Sequence, residues 1–282
     1  MNKSKTLRKL LAGPEFVRII GAHDGLSARL IEDAGFDAIW ASSLGISAVH
    51  ALPDADILTM TQYLQATDIM NAAVRLPILA DCNAGFGNVN NIVHLIHEYE
   101  RHGIAGVCIE DKVFPKTNSL SRGNQLLIST NEFVDKLRHA RLSRSSRDFV
   151  LVARVEALIA DLGLDEALER ALAYTGAGAD AIVIHSKATG PEEVKQFMSR
   201  WPGHVPVIVI PTMYPNVEVQ ELRSLGVQAA IYANQGLRVS IRGMKQVFTK
   251  LYSSTSPACV ENEIATLEEV FQLQRVNDWI NI

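Results

Sequence analysis

The segment Gly176-Ala-Gly-Ala-Asp-Ala-Ile-Val-Ile-His185 decides the fold, because it holds a helix end, an apolar strand and a polar strand end in succession. Glycine commonly follows the last turn of a helix. A short, continuously apolar run is typical of a parallel strand that is buried on both faces. The same order recurs at Ala34-Gly-Phe-Asp37, which precedes another apolar run. Repeats of this kind predict strands and helices in alternation.

The whole chain contains eight such apolar runs, including this one, and each is followed by a segment of helical periodicity. We predict strands at residues 17–22, 38–42, 76–81, 106–110, 149–154, 181–185, 205–211 and 229–233. We predict helices at residues 25–34, 59–73, 89–102, 130–143, 164–177, 191–201, 217–225 and 237–252. The chain of 282 residues has the length of one α/β barrel, so the predicted fold is α/β, a (β/α)₈ TIM-type barrel.

The end of the chain departs from this repeat. Residues 253–263 have the composition of a linker, and residues 264–276 show the periodicity of a further amphipathic helix. We therefore predict a barrel catalytic domain at residues 1–252, and a linker with a C-terminal helix at residues 253–282. The apolar stripe of that helix has to be buried, either on its own barrel or on a neighbouring subunit.

Composition narrows the possible partners. Hydrophobic residues make up 48% of the chain, and the net charge is −4, which argues against a basic nucleic-acid-binding surface. No apolar run approaches the roughly 18 residues that a membrane span needs, and residues 1–11 are basic without an apolar signal core. The three cysteines form no zinc-binding pattern. We expect a cytoplasmic enzyme whose partners are small molecules or copies of itself, with no nucleic acid and no membrane.

Carboxylates stand at the ends of two predicted strands. Asp81 and Glu110 each end a strand, and Asn83 follows two residues after Asp81. Strand ends of a barrel converge on one mouth, and oxygen ligands are what Mg²⁺ prefers. These three residues are therefore the predicted metal site. The alternative is that Asp81 only caps the helix beginning near Asn88.

Anion-binding side chains stand at the next strand ends. Arg154 and His185 end strands five and six, where a guanidinium fork and an imidazole suit a carboxylate or phosphate. Lys116, Asn118 and Ser119 lie in a loop after strand four, which is a candidate lid over an anionic substrate. The alternatives are structural ion pairs for Arg154 and His185 and an ordinary solvated loop for the other three.

Taken together, five motifs resemble one enzyme family. They are Trp40-Ala-Ser-Ser-Leu-Gly-Ile-Ser47, Asp81-Cys-Asn-Ala-Gly-Phe-Gly-Asn88, Glu110-Asp-Lys-Val-Phe-Pro-Lys-Thr-Asn-Ser-Leu120, Arg154-Val-Glu-Ala157 and Ala177-Gly-Ala-Asp-Ala-Ile-Val-Ile-His-Ser186. They resemble the phosphoenolpyruvate mutase and phosphonopyruvate hydrolase branch of the isocitrate lyase superfamily, and the mutases most closely. The resemblance implies interconversion of phosphoenolpyruvate and 3-phosphonopyruvate with Mg²⁺. It leaves open the hydrolase, which gives pyruvate and phosphate, and a non-catalytic anion-binding relative.

The resemblance also implies a role for each matching residue. Asp81 would bind Mg²⁺ directly, and Asn83 and Glu110 would act through waters. Asp54 aligns with the family's catalytic aspartate, a nucleophile or an orienting group, whereas the alternative from the sequence is a helix cap before residues 57–61. The other implied residues are the catalytic Lys116, Asn118, Arg154 and His185, of which the last three also bind substrate, and the substrate-binding Trp40, Ser42, Ser43, Leu44 and Ser119. The family further implies a homo-oligomer, with the C-terminal helix swapped in dimers that pair into tetramers.

Three positions bear on specificity. The superfamily's lyases carry a catalytic cysteine in the loop where this chain has Lys116-Thr-Asn-Ser119, which disfavours lyase activity. The hydrolases tend to have threonine at the position of Asn118. The family usually has aspartate where this chain has Asn83, and glycine where it has Ser43. From the sequence alone, Asn83→Asp is expected to tighten Mg²⁺, and the Ser43 side chain is expected to crowd the substrate's carboxylate.

Overall fold

The computed structural model describes residues 2–280, and its centre is a closed parallel barrel. The eight strands pair in chain order, and β1 pairs with β8 to close the ring. They are β1 Val17–Ala22, β2 Ala38–Ala41, β3 Ile78–Asp81, β4 Gly106–Glu110, β5 Val150–Val155, β6 Ala181–Ile184, β7 Val207–Val209 and β8 Ala229–Tyr232. The predicted (β/α)₈ barrel is confirmed.

Helices connect these strands and also occupy three places that the sequence analysis did not identify. The helices are α1 Lys3–Ala12, α2 Gly25–Asp33, α3 Ser43–Val49, α4 Met60–Ala73, α5 Val89–Arg101, α6 Thr130–Ser143, α7 Gly163–Ala177, α8 Glu192–Arg200, α9 Val219–Ser224, α10 Gln235–Ser253, α11 Leu267–Gln274 and α12 Val276–Ile280. The three that were missed among the residues described are α1, α3 and α12. A 3₁₀ turn lies at Pro257–Cys259.

Two layers of apolar side chains hold the barrel together. One layer fills the inside of the ring with residues such as Ile19, Leu79 and Val152. The other layer lies between the strands and the surrounding helices. Successive strand residues face opposite sides, and both sides are buried here, which explains the unbroken apolar runs in the sequence.

Helix α1 contributes to the inner layer. Leu7 is fully buried and Leu11 is 4% exposed, and both belong to the cluster inside the ring. Asn2 caps the helix by accepting a hydrogen bond from the backbone N–H of Lys5. The basic residues between the leucines mask this i, i+4 pattern in the sequence, which is why the helix was missed.

The chain divides into two compact units, one ending at Asn234 and the other beginning at Gln235. The domain boundary predicted between residues 252 and 253 stays a prediction. The first residue of the predicted barrel domain, Met1, and the last two of the C-terminal region, Asn281 and Ile282, lie outside the described residues. In the second unit, the helix predicted at 264–276 is present as α11, Leu267–Gln274, and is shorter than predicted. Arg275 adopts φ 52° in the left-handed region, so the helix ends there and α12 begins as a separate helix.

Among residues 2–280, no helix combines the length and the apolarity that crossing a membrane would require.

Candidate active site

A small cleft opens at the carboxyl ends of the strands in the first unit. Its lining gathers most of the side chains that the sequence analysis selected, namely Trp40, Ser42, Ser43, Leu44, Asp54, Asp81, Lys116, Asn118, Ser119, Arg154 and His185. Loops that are distant in the sequence therefore converge on one site, as expected for the mouth of such a barrel.

Helix α3 brings the β2 end into the cleft. Ser42 caps the helix by accepting a hydrogen bond from the backbone N–H of Gly45. Ser43 and Leu44 occupy its first turn, where backbone N–H groups have no partner within the helix. The backbone of these residues therefore lies where it can donate to an anionic group in the cleft. So short a helix has no apolar periodicity, which is why sequence reasoning missed it.

Asp54 forms the centre of one cluster. Its Oδ2 accepts hydrogen bonds from Lys116 Nζ at 3.0 Å and from Asn118 Nδ2 at 2.8 Å. Burial raises the pKa of Asp54, but the Lys116 ammonium and the donated hydrogen bonds outweigh burial and bring that pKa below its ordinary value. Thr59, not Asp54, caps α4. The alternative that Asp54 serves as a helix cap is therefore wrong.

Lys116 stays charged although it is buried. Burial by itself lowers the pKa of Lys116, but the neighbouring carboxylates Glu110, Asp54 and Asp81 raise it above the ordinary lysine value. Its Nζ lies 3.7 Å from Glu110 Oε1. The loop of Lys116, Asn118 and Ser119 thus contacts the carboxylates of the cleft directly, and the alternative of a purely solvated loop is wrong.

Asp81 is buried at the end of β3. Its Oδ2 accepts a hydrogen bond from Ser43 Oγ at 2.7 Å, and its Oδ1 accepts one from the backbone N–H of Asn83 at 3.3 Å. Burial raises the pKa of Asp81, so its ionised form favours a nearby cation. Asn88, not Asp81, caps α5. The Ser43 side chain is turned to Asp81.

Several buried oxygens around Asp81 have no hydrogen-bond partner among the residues described. They are Asp54 Oδ1, Asn83 Oδ1 and both carboxylate oxygens of Glu110. Within residues 2–280, no three His, Cys, Asp or Glu side chains form a complete metal-binding cluster. Mg²⁺ keeps several waters and needs only one or two carboxylates from the protein. Glu110 also forms ion pairs with Lys116 at 3.7 Å and with Arg154 at 3.5 Å. One carboxylate at Asp81, with nearby buried oxygens that accept no hydrogen bond, fits a hydrated Mg²⁺.

Arg154, Glu156 and His185 form a second buried cluster. Arg154 Nε donates to Glu156 Oε1 at 2.5 Å, and Arg154 Nη2 lies 2.8 Å from His185 Nδ1. His185 Nδ1 is also 2.8 Å from Glu156 Oε1. Burial raises the pKa of Glu156, but the Arg154 charge, followed by the contact with His185, brings it well below its ordinary value. Arg154 thus forms an ion pair with Glu156, His185 contacts both residues, and Arg154 and His185 still line the cleft.

Lys112 ties the loop to this cluster. It is 2% exposed. Its Nζ donates to Thr117 O at 2.8 Å, to Ser119 Oγ at 2.7 Å and to Gln125 Oε1 at 2.6 Å. Ser119 Oγ in turn donates to Glu156 Oε2 at 2.5 Å. The loop is therefore held by one buried ammonium and by the carboxylate that also holds Arg154.

Sequence reasoning missed three residues with central contacts: Asp56, Lys112 and Glu156. Lys112 and Glu156 belong to the quoted motifs, at Glu110-Asp-Lys112 and Arg154-Val-Glu156, so their position at strand ends was the available signal. Asp56 carried no such signal, because its partners are 27 and 60 residues away in the chain.

The environment of His185 leads to a pH-dependent prediction. Burial, and then the Arg154 charge, lower its pKa from the ordinary value of 6.5. Below pH 6.5 the unfolded chain therefore binds more protons at this residue than the folded chain, so the contribution of His185 to stability falls as the pH is lowered through 6.5. Urea unfolding of the unmodified protein and of His185→Gln, measured between about pH 5 and 8, gives the difference in free energy. Above pH 6.5 we expect a constant difference in the free energy of unfolding between the two proteins. Below pH 6.5 the unmodified protein should lose stability relative to His185→Gln. A difference that does not change with pH would contradict the argument from burial.

An α/β barrel with charged side chains gathered at the carboxyl ends of its strands has the architecture of a barrel enzyme. The chain belongs to the phosphoenolpyruvate phosphomutase family, whose model matches residues 7–252. It is 42% identical over 273 residues to the phosphoenolpyruvate phosphomutase of Tetrahymena pyriformis, covering 96% of this chain and 91% of that protein.

Two solved structures extend the comparison. The phosphoenolpyruvate phosphomutase structure from Streptomyces platensis subsp. rosaceus is 46% identical, with a TM-score of 0.96 and coverage of 98% of this chain and 96% of the other. A phosphonopyruvate hydrolase structure, in complex with oxalate and Mg²⁺, is 37% identical, with a TM-score of 0.93 and coverage of 99% and 96%.

Proposed function

We propose that this protein is a phosphoenolpyruvate mutase, which interconverts phosphoenolpyruvate and 3-phosphonopyruvate. The reaction breaks the P–O bond of one isomer and forms the P–C bond of the other, and it consumes no other reactant. The contact between Asn118 and Asp54 is the observation that carries the proposal. By resemblance, Asn118 is the loop residue typical of mutases and Asp54 is the catalytic aspartate, so a contact between them supports the proposal.

Chemistry of this kind depends mainly on position and charge. Phosphoryl transfer has a loose transition state, so catalysis consists largely of orienting groups and stabilising negative charge. The backbone of Ser43 and Leu44 would hold the carboxylate of the substrate. Arg154 and His185 would hold the phosphoryl oxygens, and Asn118 would donate to them from the loop.

Asp81 would hold Mg²⁺ directly, and Glu110 and Asn83 would accept hydrogen bonds from its waters. A bound Mg²⁺ would supply stabilisation of the enolate charge that develops as the phosphoryl group departs. The related hydrolase was solved as a complex with Mg²⁺ and oxalate, a small dicarboxylate. Together with the buried oxygens near Asp81 that accept no hydrogen bond, this supports a magnesium site here.

Water control separates the mutase from the hydrolase, because water would intercept the phosphoryl group and leave pyruvate and phosphate. Lys116 and Ser119 are 5% and 7% exposed in this structure, which supports a cleft that the loop closes to water. The loop has no cysteine, which is consistent with an enzyme that is not a lyase.

The test is to incubate the protein with phosphonopyruvate and Mg²⁺ and to follow phosphorus by ³¹P NMR. We expect the phosphonate signal to be replaced by that of phosphoenolpyruvate, confirmed by ATP formation with ADP and pyruvate kinase. Formation of inorganic phosphate and pyruvate instead would identify the hydrolase. No product from the protein would indicate the non-catalytic relative. Asp54→Ala serves as the inactive control.

We also propose a homo-oligomer in which the C-terminal helical region packs on a neighbouring copy. The second unit presents large apolar side chains, with Val239 66%, Phe248 63% and Phe271 51% exposed. Exposed apolar surface on this scale is typical of an interface. In the proposed assembly, two subunits exchange their C-terminal helices to form a dimer, and two such dimers form a tetramer.

We expect light scattering at micromolar concentration to give a mass of at least two chains of 30.9 kDa each. Phe248→Glu is expected to shift the protein toward smaller species, because a carboxylate would be buried in the interface. Leu142→Glu, at a position 82% exposed on α6, is the matched control and should not change the mass. A monomer of the unmodified protein would contradict the proposal.

A further inference from the structure

Asp56 lies between two loops of the cleft and bonds to both. Its Oδ1 accepts a hydrogen bond from Asn83 Nδ2 at 2.7 Å. Its Oδ2 accepts one from the backbone N–H of Lys116, also at 2.7 Å. Asp56 thus connects the loop after β3 with the loop after β4, and it uses one carboxylate oxygen for each.

The first contact fixes the orientation of the Asn83 amide. An ionised carboxylate can only accept hydrogen bonds, so the amide nitrogen has to face Asp56. Asn83 Oδ1 consequently points elsewhere, and it is fully buried without a hydrogen-bond partner among the described residues. The backbone of Asn83 contacts both neighbouring carboxylate residues, since its N–H donates to Asp81 Oδ1 and its carbonyl accepts from the Glu110 N–H. Asp56 thereby leaves an oxygen at position 83 available to a metal-bound water.

The second contact fixes the backbone of Lys116. With its N–H held by Asp56, the side chain of Lys116 reaches Asp54 at 3.0 Å and Glu110 at 3.7 Å. The hydrogen bond to Asp56 therefore sets where the catalytic ammonium enters the cleft. It also holds the loop in the position from which Asn118 contacts Asp54.

We propose that Asp56 is a positioning residue that orients Asn83 toward Mg²⁺ and anchors the loop of Lys116 over the substrate. This inference rests on the proposed function, and it accounts for the amide at a position where the family usually has aspartate. A carboxylate at position 83 would lie against the Asp56 carboxylate, and like charges at this distance repel. We therefore revise the expectation from the sequence: Asn83→Asp should weaken Mg²⁺ binding rather than tighten it.

The geometry also predicts that exchanging the two residues restores the site. In the double variant Asp56→Asn/Asn83→Asp, the new amide can donate to the carboxylate at position 83 and accept from the Lys116 N–H. Both positions have left-handed backbones, with φ 54° at Asp56 and φ 50° at Asn83. Asp and Asn tolerate that conformation better than other non-glycine residues, so the exchange leaves the backbone unstrained.

The experiment measures Mg²⁺ binding by isothermal titration calorimetry, in the presence of oxalate, for the unmodified protein, both single variants and the double variant. We expect each single variant to lose about 10–100-fold in Mg²⁺ affinity, as is typical when a residue that orients a metal site is lost. The double variant should recover most of that loss. Asp165→Asn, which removes a charge from a side chain 88% exposed, is the control and should bind like the unmodified protein.

Hydrogen–deuterium exchange of peptides covering residues 114–124 tests the loop contact separately from the metal. We expect faster exchange at Lys116 in Asn83→Asp, where Asp56 is displaced, and exchange near that of the unmodified protein in the double variant. Circular dichroism confirms that each variant is folded. Unchanged Mg²⁺ affinity in Asp56→Asn, unchanged exchange in Asn83→Asp, or a double variant no better than the weaker single one would overturn the proposal.

The proposed function can fail without this inference failing. If the unmodified protein binds Mg²⁺ but does not convert phosphonopyruvate, the mutase proposal is wrong and the affinities still test Asp56. If the unmodified protein binds no Mg²⁺, the metal half of the inference is overturned, and the exchange measurement decides the loop half.

Discussion

Asp54→Ala is expected to lower kcat by about 10³-fold while the protein stays folded. Asp54 Oδ2 holds Lys116 Nζ and Asn118 Nδ2 at 3.0 and 2.8 Å, and its Oδ1 has no hydrogen-bond partner among the described residues. The variant would lose the carboxylate in the cleft and release the loop amide. Lys116 would keep an ion pair with Glu110 at 3.7 Å, so no buried cation would be left without a partner.

The measurement is steady-state kinetics with phosphonopyruvate, with circular dichroism as the test of folding. Asp54→Asn is the matched comparison, because it keeps an acceptor for Asn118 but removes the charge. If Asp54→Asn loses as much as Asp54→Ala, the charge is what catalysis needs. A folded Asp54→Ala variant with near-normal kcat would show that Asp54 has no catalytic role.

Asp81→Asn is expected to abolish Mg²⁺-dependent turnover without lowering stability. Asp81 is the proposed direct ligand, and no other carboxylate in the described part of the cleft holds its place between Ser43 and Asn83. Burial raises the pKa of Asp81, so an ionised Asp81 costs folding free energy when no metal is bound. A neutral amide of nearly the same shape removes that cost.

Calorimetry with Mg²⁺ and thermal unfolding in chelator test both halves of this expectation. Metal binding should disappear, and the Tm of the metal-free variant should equal or exceed that of the unmodified protein. Ser4→Ala, on α1 and outside the cleft, is a control for the effect of substitution alone. Retained Mg²⁺ affinity in Asp81→Asn would place the metal on other residues.

The sequence predicted the barrel because its strands are buried on both faces, which leaves a plain apolar run such as Ala181–Ile184. It also predicted the polar strand ends, since convergence at the mouth follows from the fold itself. Helix α3 and the break at Arg275 were missed, because a few residues carry no helical periodicity and a left-handed residue without glycine gives no clear signal.

Contacts between loops could not be predicted from the sequence, for a different reason. The pairing of Asp56 with Asn83 joins residues 27 positions apart, and only the closed barrel brings them together. The sequence expectation for Asn83→Asp treated position 83 in isolation and therefore had the opposite sign. The oligomeric state, the cytoplasmic location and the domain boundary at residues 252 and 253 remain predictions from the sequence.

The Lys112 contacts have a consequence for the order of events in turnover. One ammonium holds Thr117, Ser119 and Gln125, and Ser119 Oγ is also bonded to the Glu156 carboxylate that orients Arg154. Lifting the loop would therefore remove a donor from Glu156 and an acceptor from Arg154, the proposed partner of the phosphoryl oxygens. Substrate would enter while the loop is lifted and the proposed anion-binding groups are not yet aligned. Closing the loop would then align these groups and exclude water in a single cooperative step.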